Sequence, residues 1–189
     1  QPLLAYQMND EPLEPTHGYP VRLIVPGWYG MASVKWLKQI NLIPEPYQGF
    51  FQSRRYINVK DGKYEPSWEP VSSIQVKSLI TNPSHGEIVR NGDFMIQGVA
   101  WSGHGTIEMI EVSTDGGRSW EEAELFGPES AGAWHHWKLT RTASSPGHFI
   151  LMSRATDSAG YTQPPQITWN FRGYANNSIH TIAIEVPSK

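Results

Sequence analysis

Alternation of apolar and polar side chains becomes regular after about residue 72 and predicts a series of short β-strands. The predicted strands are Ile74–Ile80, Glu87–Gly98, Ile107–Ser113, Ser119–Leu125, Trp134–Thr142, His148–Ala155 and a last one near Ile179–Val186. Turn-forming residues rich in glycine, proline, asparagine and aspartate separate them. About seven strands spaced roughly a dozen residues apart are typical of an immunoglobulin-like β-sandwich of about 110 residues. The predicted fold class is therefore mainly β.

The first 70 residues have a weaker pattern. Val21–Val25 is an apolar run bounded by prolines and predicts a short buried strand. Ser33–Ile40 fits a strand and a capped helix equally well. Residues 44–70 contain scattered prolines and aromatic residues without a period, which indicates an extended connection. We expect an irregular α+β segment with too few regular elements to close a core of its own.

Composition narrows the classes of function. The chain has 189 residues and a formal net charge of −3, so no basic field indicates a nucleic-acid partner. No apolar run approaches the roughly 18 residues that a membrane span requires. Cysteine is absent, which excludes disulfides, thiolate metal sites and a cysteine nucleophile within the chain. The chain opens at Gln1 without a signal-like segment, and we expect a processed product or a part of a longer protein.

Cations surround a short glycine-rich loop near the start of the chain. Gly27 and Gly30 allow sharp turns that expose main-chain amides. Arg22 offers a planar guanidinium, and His17 and Lys35 add two further donors. The group suits a phosphate or a polar heterocycle. Scattered surface cations beside a strand and a loop are the alternative interpretation.

An aspartate-box pattern, Ser-x-Asp-x-Gly-x-x-Trp, occupies Ser113–Trp120. Its aspartate is expected to bond to turn amides while the glycines take positive φ and the tryptophan packs across the hairpin. A carbohydrate-related module is one interpretation. A hairpin-stabilising device without chemistry is the other.

Seven histidines raise the question of a metal site. His135 and His136 are adjacent, so in a strand they face opposite sides and cannot chelate one ion together. The others lie far apart in sequence without ligand spacing. We predict no metal site in this chain.

Several segments, in order along the chain, closely resemble the sulfite oxidase family of molybdenum enzymes. They are Leu3–Asn9, His17–Arg22, Val25–Gly27, Val34–Leu37, Gly98–Gly103, Val112–Gly117, Arg154–Asp157, Gln163–Pro164 and Trp169–Gly173. The family has a molybdopterin-binding domain followed by an immunoglobulin-like domain that commonly forms dimers. The resemblance implies that residues 1–70 are the C-terminal part of the first domain with a linker, and that residues 71–189 are the dimerisation domain.

The resemblance also assigns cofactor contacts. His17 and Arg22 match family positions that hold the terminal phosphate of the pterin cofactor. Ser33, Val34 and Lys35 match the loop that contacts the phosphate and the pterin. The family binds molybdenum through a cysteine in the N-terminal half of the cofactor domain, and this chain has no cysteine. We therefore expect the C-terminal portion of such an enzyme, inactive on its own, with molybdopterin bound in the intact enzyme.

For the intact enzyme, the resemblance implies oxygen-atom transfer oxidation of sulfite or a related sulfur compound. Expected partners are the missing N-terminal cofactor half, a second copy of the chain and an electron acceptor such as a haem protein. Bacterial members suggest a periplasmic location. Nitrate stays open as a substrate because nitrate reductases share the architecture. The alternative is a non-enzymatic immunoglobulin-like binding module.

The resemblance implies one further role. Aligning Trp137–Leu139 with a tryptophan-rich strand of the family places His135 where the family has an arginine in the anion pocket above molybdenum. His135 is then expected at the substrate mouth, with His136 on the opposite face of the strand. The alternative is that both are ordinary surface histidines.

Overall fold

A computed structural model describes residues 1–59, 69–128, 132–167 and 169–188. The chain divides into two compact units, Gln1–Ile74 with Thr168–Asn176, and Gln75–Ile167 with Asn177–Lys189. The predicted boundary between residues 70 and 71 stays a prediction. Within the described residues, no helix is long and apolar enough to cross a membrane. Residues 60–68, part of the predicted connection, lie outside the described residues.

The first unit consists of short elements. Its strands are β1 (Leu3–Ala5), β2 (Gln7–Met8), β3 (Glu11–Pro12), β4 (Arg22–Ile24), β5 (Ile57–Asn58) and β6 (Glu69–Pro70), and its α-helix is α1 (Phe50–Arg54). Strands β1 and β4, β2 and β3, and β5 and β6 pair antiparallel. Among the described residues of this unit, the buried apolar ones are Leu13, Ile57, Val59 and Val71. The irregular α+β character and the small core agree with the sequence prediction.

Two predictions in this unit need correction. The expected buried strand at Val21–Val25 is the three-residue β4, and its residues are only half-buried. Ser33–Ile40 forms neither a strand nor a helix. Trp36 has φ +52°, which interrupts an extended run, and Val34 and Leu37 bond through their main chains to Leu23 and Val21 instead.

The second unit is a two-sheet β-sandwich. Its strands are β7 (Lys77–Asn82), β8 (Glu87–Ile88), β9 (Gly92–Trp101), β10 (Ile107–Ser113), β11 (Glu121–Glu122), β12 (Glu124–Phe126), β13 (His135–Ala143), β14 (Gly147–Asp157) and β15 (His180–Val186). One sheet has the order β12-β13-β9-β7 and the other has the order β11-β10-β14-β15-β8. All pairs are antiparallel except β15 with β8. This arrangement has the strand order of immunoglobulin-like sandwiches.

Apolar residues from both sheets meet in the sandwich core. Ile96 and Trp137 come from one sheet, and Ile110 and Leu151 come from the other, each essentially buried. The indole of Trp137 lies against Gly98, where a Cβ would overlap the ring. A glycine is therefore required opposite this tryptophan, because interiors are close-packed.

A buried amide joins the two sheets. Gln163 accepts hydrogen bonds through Oε1 from the main-chain amides of Ser78 in β7, at 2.7 Å, and Ala155 in β14, at 3.0 Å. Its Nε2 donates to the carbonyls of Asn177 and Ser178 at 3.1 and 3.0 Å. All four bonding positions of the amide are used, as a buried polar group requires.

The aspartate box is a hairpin device, as the second interpretation predicted. Asp115 Oδ1 accepts from the amides of Arg118 and Ser119 at 2.9 and 3.0 Å, and Oδ2 accepts from the Ser119 hydroxyl at 2.6 Å. These bonds, the Ser119 hydroxyl first, lower the pKa of Asp115 far below its ordinary value. Trp120 Nε1 donates to the Gly117 carbonyl, and Arg154 lies 4.2 Å from the Trp120 ring centroid. The motif thus stabilises the turn between β10 and β11.

Candidate functional site

The predicted cofactor residues lie on three neighbouring segments of the first unit. A tight turn at residues 14–19 precedes β4, and the 33–37 segment runs beside β4. The amide of Leu23 donates to the Val34 carbonyl at 2.8 Å, and the amide of Leu37 donates to the Val21 carbonyl at 3.0 Å. These bonds bring residues more than ten positions apart in sequence to one place.

Arg22 is the centre of this group. Its Nη1 donates to the His17 carbonyl at 3.0 Å, and its Nη2 donates to the Ser33 carbonyl at 3.3 Å. Its Nε is buried and has no hydrogen-bond partner among the described residues. A buried guanidinium N–H without an acceptor is costly, so this donor fits an anion approaching the site.

Lys35 reaches the same turn from the other side. Its Nζ donates to the Thr16 carbonyl at 2.7 Å and lies 5.8 Å from the Trp36 ring centroid. Trp36 Nε1 in turn donates to the Pro15 carbonyl at 2.8 Å. Two consecutive side chains therefore hold the 14–19 turn against the 33–37 segment.

Gly18 separates Arg22 from Lys35 and allows them to approach. It has φ +112°, a conformation that favours glycine. A Cβ at this position would lie 3.1 Å from Arg22 Cβ and 3.2 Å from Lys35 Cβ. The sequence pattern points to Gly27 and Gly30 as the loop glycines, whereas the structure gives this role to Gly18, whose signal in the sequence is its place between His17 and Arg22.

Ser33 and Val34 contribute to the site mainly through hydrogen bonds that position the 33–37 segment. Ser33 Oγ accepts a hydrogen bond from the Val25 amide at 3.2 Å, which fixes the start of the segment. The side chain of Val34 is exposed, and its carbonyl is used by Leu23. Among the described residues, no acceptor binds the main-chain amides of Val34 and Lys35. Exposed amides beside two cations suit a phosphate.

The side chain of His17 faces Glu14 at the start of the turn. It is about half exposed, and its Nδ1 lies 3.8 Å from Glu14 Oε2. The structure therefore brings His17, Arg22, Ser33, Val34 and Lys35 together. Their direct contact with a cofactor stays a prediction.

A second cationic group in the first unit was missed. Arg54 and Arg55 at the end of α1 line a cavity of about 350 Å³ with Phe50 and Arg172. The Arg55 guanidinium lies 5.2 Å from the Phe50 ring centroid. Arg172 comes from residues 169–176, whose return to this unit nothing in the sequence pattern indicated. Three arginines from two segments of the chain therefore lie at one cavity.

His135 and His136 face opposite sides of β13, as predicted. His135 is only 6% exposed and lies on the same face as the buried Trp137, whereas His136 is exposed with its ring 5.6 Å from that of Phe126. The interpretation of both as surface histidines is wrong for His135. Its place at the substrate mouth stays a prediction. Within the described residues, no cluster of three His, Asp or Glu side chains could hold a metal ion.

Comparison with known proteins gives two family matches. The family described as Mo-co oxidoreductase dimerisation domain matches residues 69–187, and the oxidoreductase molybdopterin binding domain matches residues 1–51. Together they include all five predicted cofactor residues and His135.

Individual relatives agree with these two family matches. The chain is 37% identical to mitochondrial sulfite oxidase of Mus musculus over 97% of its own length and 36% of that protein. It is 33% identical to inducible nitrate reductase [NADH] 2 of Glycine max over 93% of its length and 22% of that protein. The sulfane dehydrogenase SoxCD from Paracoccus pantotrophus superposes with a TM-score of 0.82 and 31% identity, over all of this chain and 51% of that one. The chain thus spans about a third of the length of the sulfite oxidase it matches.

Proposed function

The chain belongs to the sulfite oxidase family of molybdopterin-dependent oxidoreductases, and we propose that it forms part of the cofactor phosphate site and the dimerisation domain of an enzyme that oxidises sulfite or a related sulfur compound. It corresponds to the C-terminal region of such enzymes. The activity, substrate and partners of the whole enzyme are proposals.

One observation carries the cofactor assignment. The Cβ atoms of Arg22 and Lys35 both lie beside Gly18, and Arg22 Nε is a buried donor that lacks an acceptor among the described residues. A terminal phosphate is a dianion with acceptor oxygens on several sides, so it matches a fork of guanidinium donors beside an ammonium group. The residues present therefore fit the phosphate end of the cofactor.

Each residue has a separate task in this proposal. Arg22 gives a directional charge-assisted bond, Lys35 gives a point charge, and the main-chain amides of Val34 and Lys35 add neutral donors. Ser33 holds the loop through the Val25 amide. When bound, the molybdenum cofactor supplies oxygen-atom transfer, and the electrons pass to an acceptor.

Arg54, Arg55 and Arg172 lie at one cavity, and we propose that it admits an oxyanion as substrate. Guanidinium groups bind the oxygens of a small planar or pyramidal anion through several parallel N–H donors. Sulfite and nitrate both have this character, and relatives of both kinds match the chain. The match of the molybdopterin binding domain to residues 1–51 argues against a non-enzymatic binding module.

Three further parts of the proposal concern partners and location. The dimerisation-domain match supports a homodimer, which sedimentation velocity of the purified enzyme tests. A haem protein as electron acceptor is tested by the reduction of added cytochrome c. The periplasmic location rests on the resemblance alone, and cell fractionation tests it.

A steady-state assay of the molybdenum-loaded enzyme that contains this chain tests the activity. With ferricyanide as acceptor, sulfite should be oxidised, and an enzyme loaded with tungsten should be inactive. Arg55→Ala should raise the KM for sulfite about tenfold at unchanged molybdenum content, since one charge-assisted bond is lost. Arg118→Ala, an exposed arginine of the second unit, is the matched control. Nitrate turnover without sulfite turnover would assign the nitrate reductase function, and turnover of neither anion would contradict the proposal.

A further inference from the structure

Asn91 lies in the bend between β8 and β9, and it is the only asparagine of the sequence that a glycine follows. Asn91, Gly92 and Asp93 are all exposed. Within the described part of the chain, no hydrogen bond restrains the Asn91 side chain. Its carboxamide can therefore rotate toward the main chain of the next residue.

The main-chain nitrogen of that next residue, Gly92, lies at the end of a ladder. Gly92 and Ala143 form the last pair between β9 and β13, and β7 pairs with β9 only from Gln97 onward. Strand ends of this kind open at a low free-energy cost. Gly92 has φ +118°, and nothing lies within 4 Å of the position that a Cβ would occupy. No side chain or neighbouring group thus separates this nitrogen from the Asn91 carboxamide.

We propose that Asn91 is a site of spontaneous deamidation, because asparagine is chemically labile where a main-chain nitrogen can reach its carboxamide. The Gly92 nitrogen attacks Asn91 Cγ and closes a succinimide ring, and the side-chain nitrogen leaves as ammonia with the proton of the attacking amide. Water then opens the ring at one of its two carbonyl carbons. Opening at Cγ gives aspartate, and opening at the main-chain carbonyl carbon gives isoaspartate. The reaction uses no cofactor and no oxidant, so it is independent of the proposed oxidase function.

The pair Asp115-Gly116 has the same following residue, but the structure protects it. Asp115 accepts hydrogen bonds from the Ser119 hydroxyl at 2.6 Å and from two main-chain amides. The Gly116 amide donates to the Ile150 carbonyl at 3.2 Å, so the attacking nitrogen is engaged as well. The bonds to Asp115, the Ser119 hydroxyl first, hold its pKa far below its ordinary value, and an ionised carboxylate reacts poorly with an amide nitrogen. The fold therefore distinguishes two dipeptides that look alike in the sequence.

Deamidation would act on the end of the β9–β13 ladder. Either product places a new carboxylate beside Asp93, whose Oδ1 accepts a hydrogen bond from Thr142 Oγ1 at 2.6 Å. Isoaspartate also lengthens the main chain immediately before the Gly92–Ala143 pair. Amide hydrogen exchange at Asp93 and Ala143 should consequently be faster in an aged chain than in a fresh one.

Ageing of the purified full chain at mildly alkaline pH tests this proposal. Cleavage after glutamate separates the two dipeptides, since Glu87 and Glu108 bound residues 88–108 while Glu111 and Glu121 bound residues 112–121. Mass spectrometry should show deamidation in residues 88–108, and a protein isoaspartyl methyltransferase should label that peptide. The rate at Asn91 should be within about threefold of the rate in urea, because the fold does not protect the site. Labelling of residues 112–121 should be at least about tenfold faster in urea than in the folded chain.

Asn91→Gln keeps an exposed carboxamide but needs a larger ring for the same attack, so residues 88–108 of this variant should stay unlabelled. Its amide exchange at Asp93 and Ala143 should not change with age. Three results would overturn the proposal. They are unmodified residues 88–108 in the folded chain after the chain in urea has reacted, equal labelling of this peptide in Asn91→Gln, and labelling of residues 112–121 in the folded chain as fast as that of residues 88–108.

Discussion

Gly18 and Arg22 lie so close that a Cβ on the glycine would be 3.1 Å from the Cβ of the arginine. Lys35 is nearly as close on the other side, at 3.2 Å. The approach of two cations from different segments therefore depends on a residue without a side chain. This relationship makes the cluster sensitive to a single methyl group.

Gly18→Ala should damage the site. The positive φ costs an L-residue about 1–2 kcal/mol, and the new methyl group would push Arg22 and Lys35 apart. We expect a lower unfolding temperature and a lower pterin content in the purified enzyme. Gly86→Ala is the matched control, because Gly86 has φ +79° but nothing within 4 Å of its Cβ position. It should show the strain without the loss of pterin, and full pterin content in Gly18→Ala would argue against the cluster.

Lys35→Ala should weaken cofactor retention more mildly. Lys35 is exposed, and an exposed charge contributes about 0.2–1 kcal/mol, which corresponds to a rate of cofactor loss about 1.4- to fivefold faster. Dialysis at low ionic strength, followed by pterin fluorescence, measures this rate. Lys38→Ala removes an exposed lysine three residues away and should have no effect. Equal rates of cofactor loss in the two variants would show that Lys35 does not bind the phosphate.

His180 should make the second unit less stable in acid. Its Nδ1 accepts a hydrogen bond from the Ile80 amide at 3.0 Å. Burial, and then the charge of Lys77, lower the pKa of His180 below its ordinary value. The folded state thus binds fewer protons than the unfolded state, so the free energy of unfolding falls as the pH falls below about 6.5.

His180→Gln keeps an acceptor for the Ile80 amide and removes the titration. The decrease in unfolding temperature between pH 7.5 and pH 5.0 should be smaller in this variant than in the unmodified chain. His148→Gln, which removes an exposed histidine, should keep the original decrease. An unchanged pH dependence in His180→Gln would show that another group is responsible.

The sandwich could largely be predicted because local pattern and turn chemistry agree there. β10 has the predicted bounds, and β15 differs from its prediction by one residue. Ser119–Leu125 was wrong as one strand. It forms β11 and β12 in different sheets, with the buried Ala123 between them. Pairing with distant strands decides this division, and alternation within seven residues contains no information about it.

The predicted strand Glu87–Gly98 is a second case in which local alternation gave the wrong strand bounds. It divides into β8 and the start of β9 at Gly92, which has φ +118°. The Asn-Gly turn signal was present in the sequence. Apolar alternation on both sides of it predicted a longer strand than the structure contains.

The candidate site depended on a different kind of information. The residue types of His17, Arg22 and Lys35 are compatible with an anion site. The family resemblance assigned these residues to contacts with the phosphate and the pterin of the cofactor. Their proximity follows from bonds such as Leu23 to Val34, which cross between segments. The arginine cavity at α1 was missed because Arg172 lies more than 100 positions from Arg55 and its segment has no periodic pattern.

The cofactor content of an Arg22→Ala enzyme tests the central claim most directly. Loss of the guanidinium should remove a charge-assisted contact with the phosphate of roughly 1.5–3 kcal/mol. Molybdenum by mass spectrometry and pterin by fluorescence should both fall by about tenfold or more under limiting cofactor, while the unfolding temperature of the second unit is unchanged. Arg90→Ala, prepared in parallel, should retain both. Full molybdenum and pterin content in Arg22→Ala would contradict the assignment of this cluster to the cofactor phosphate.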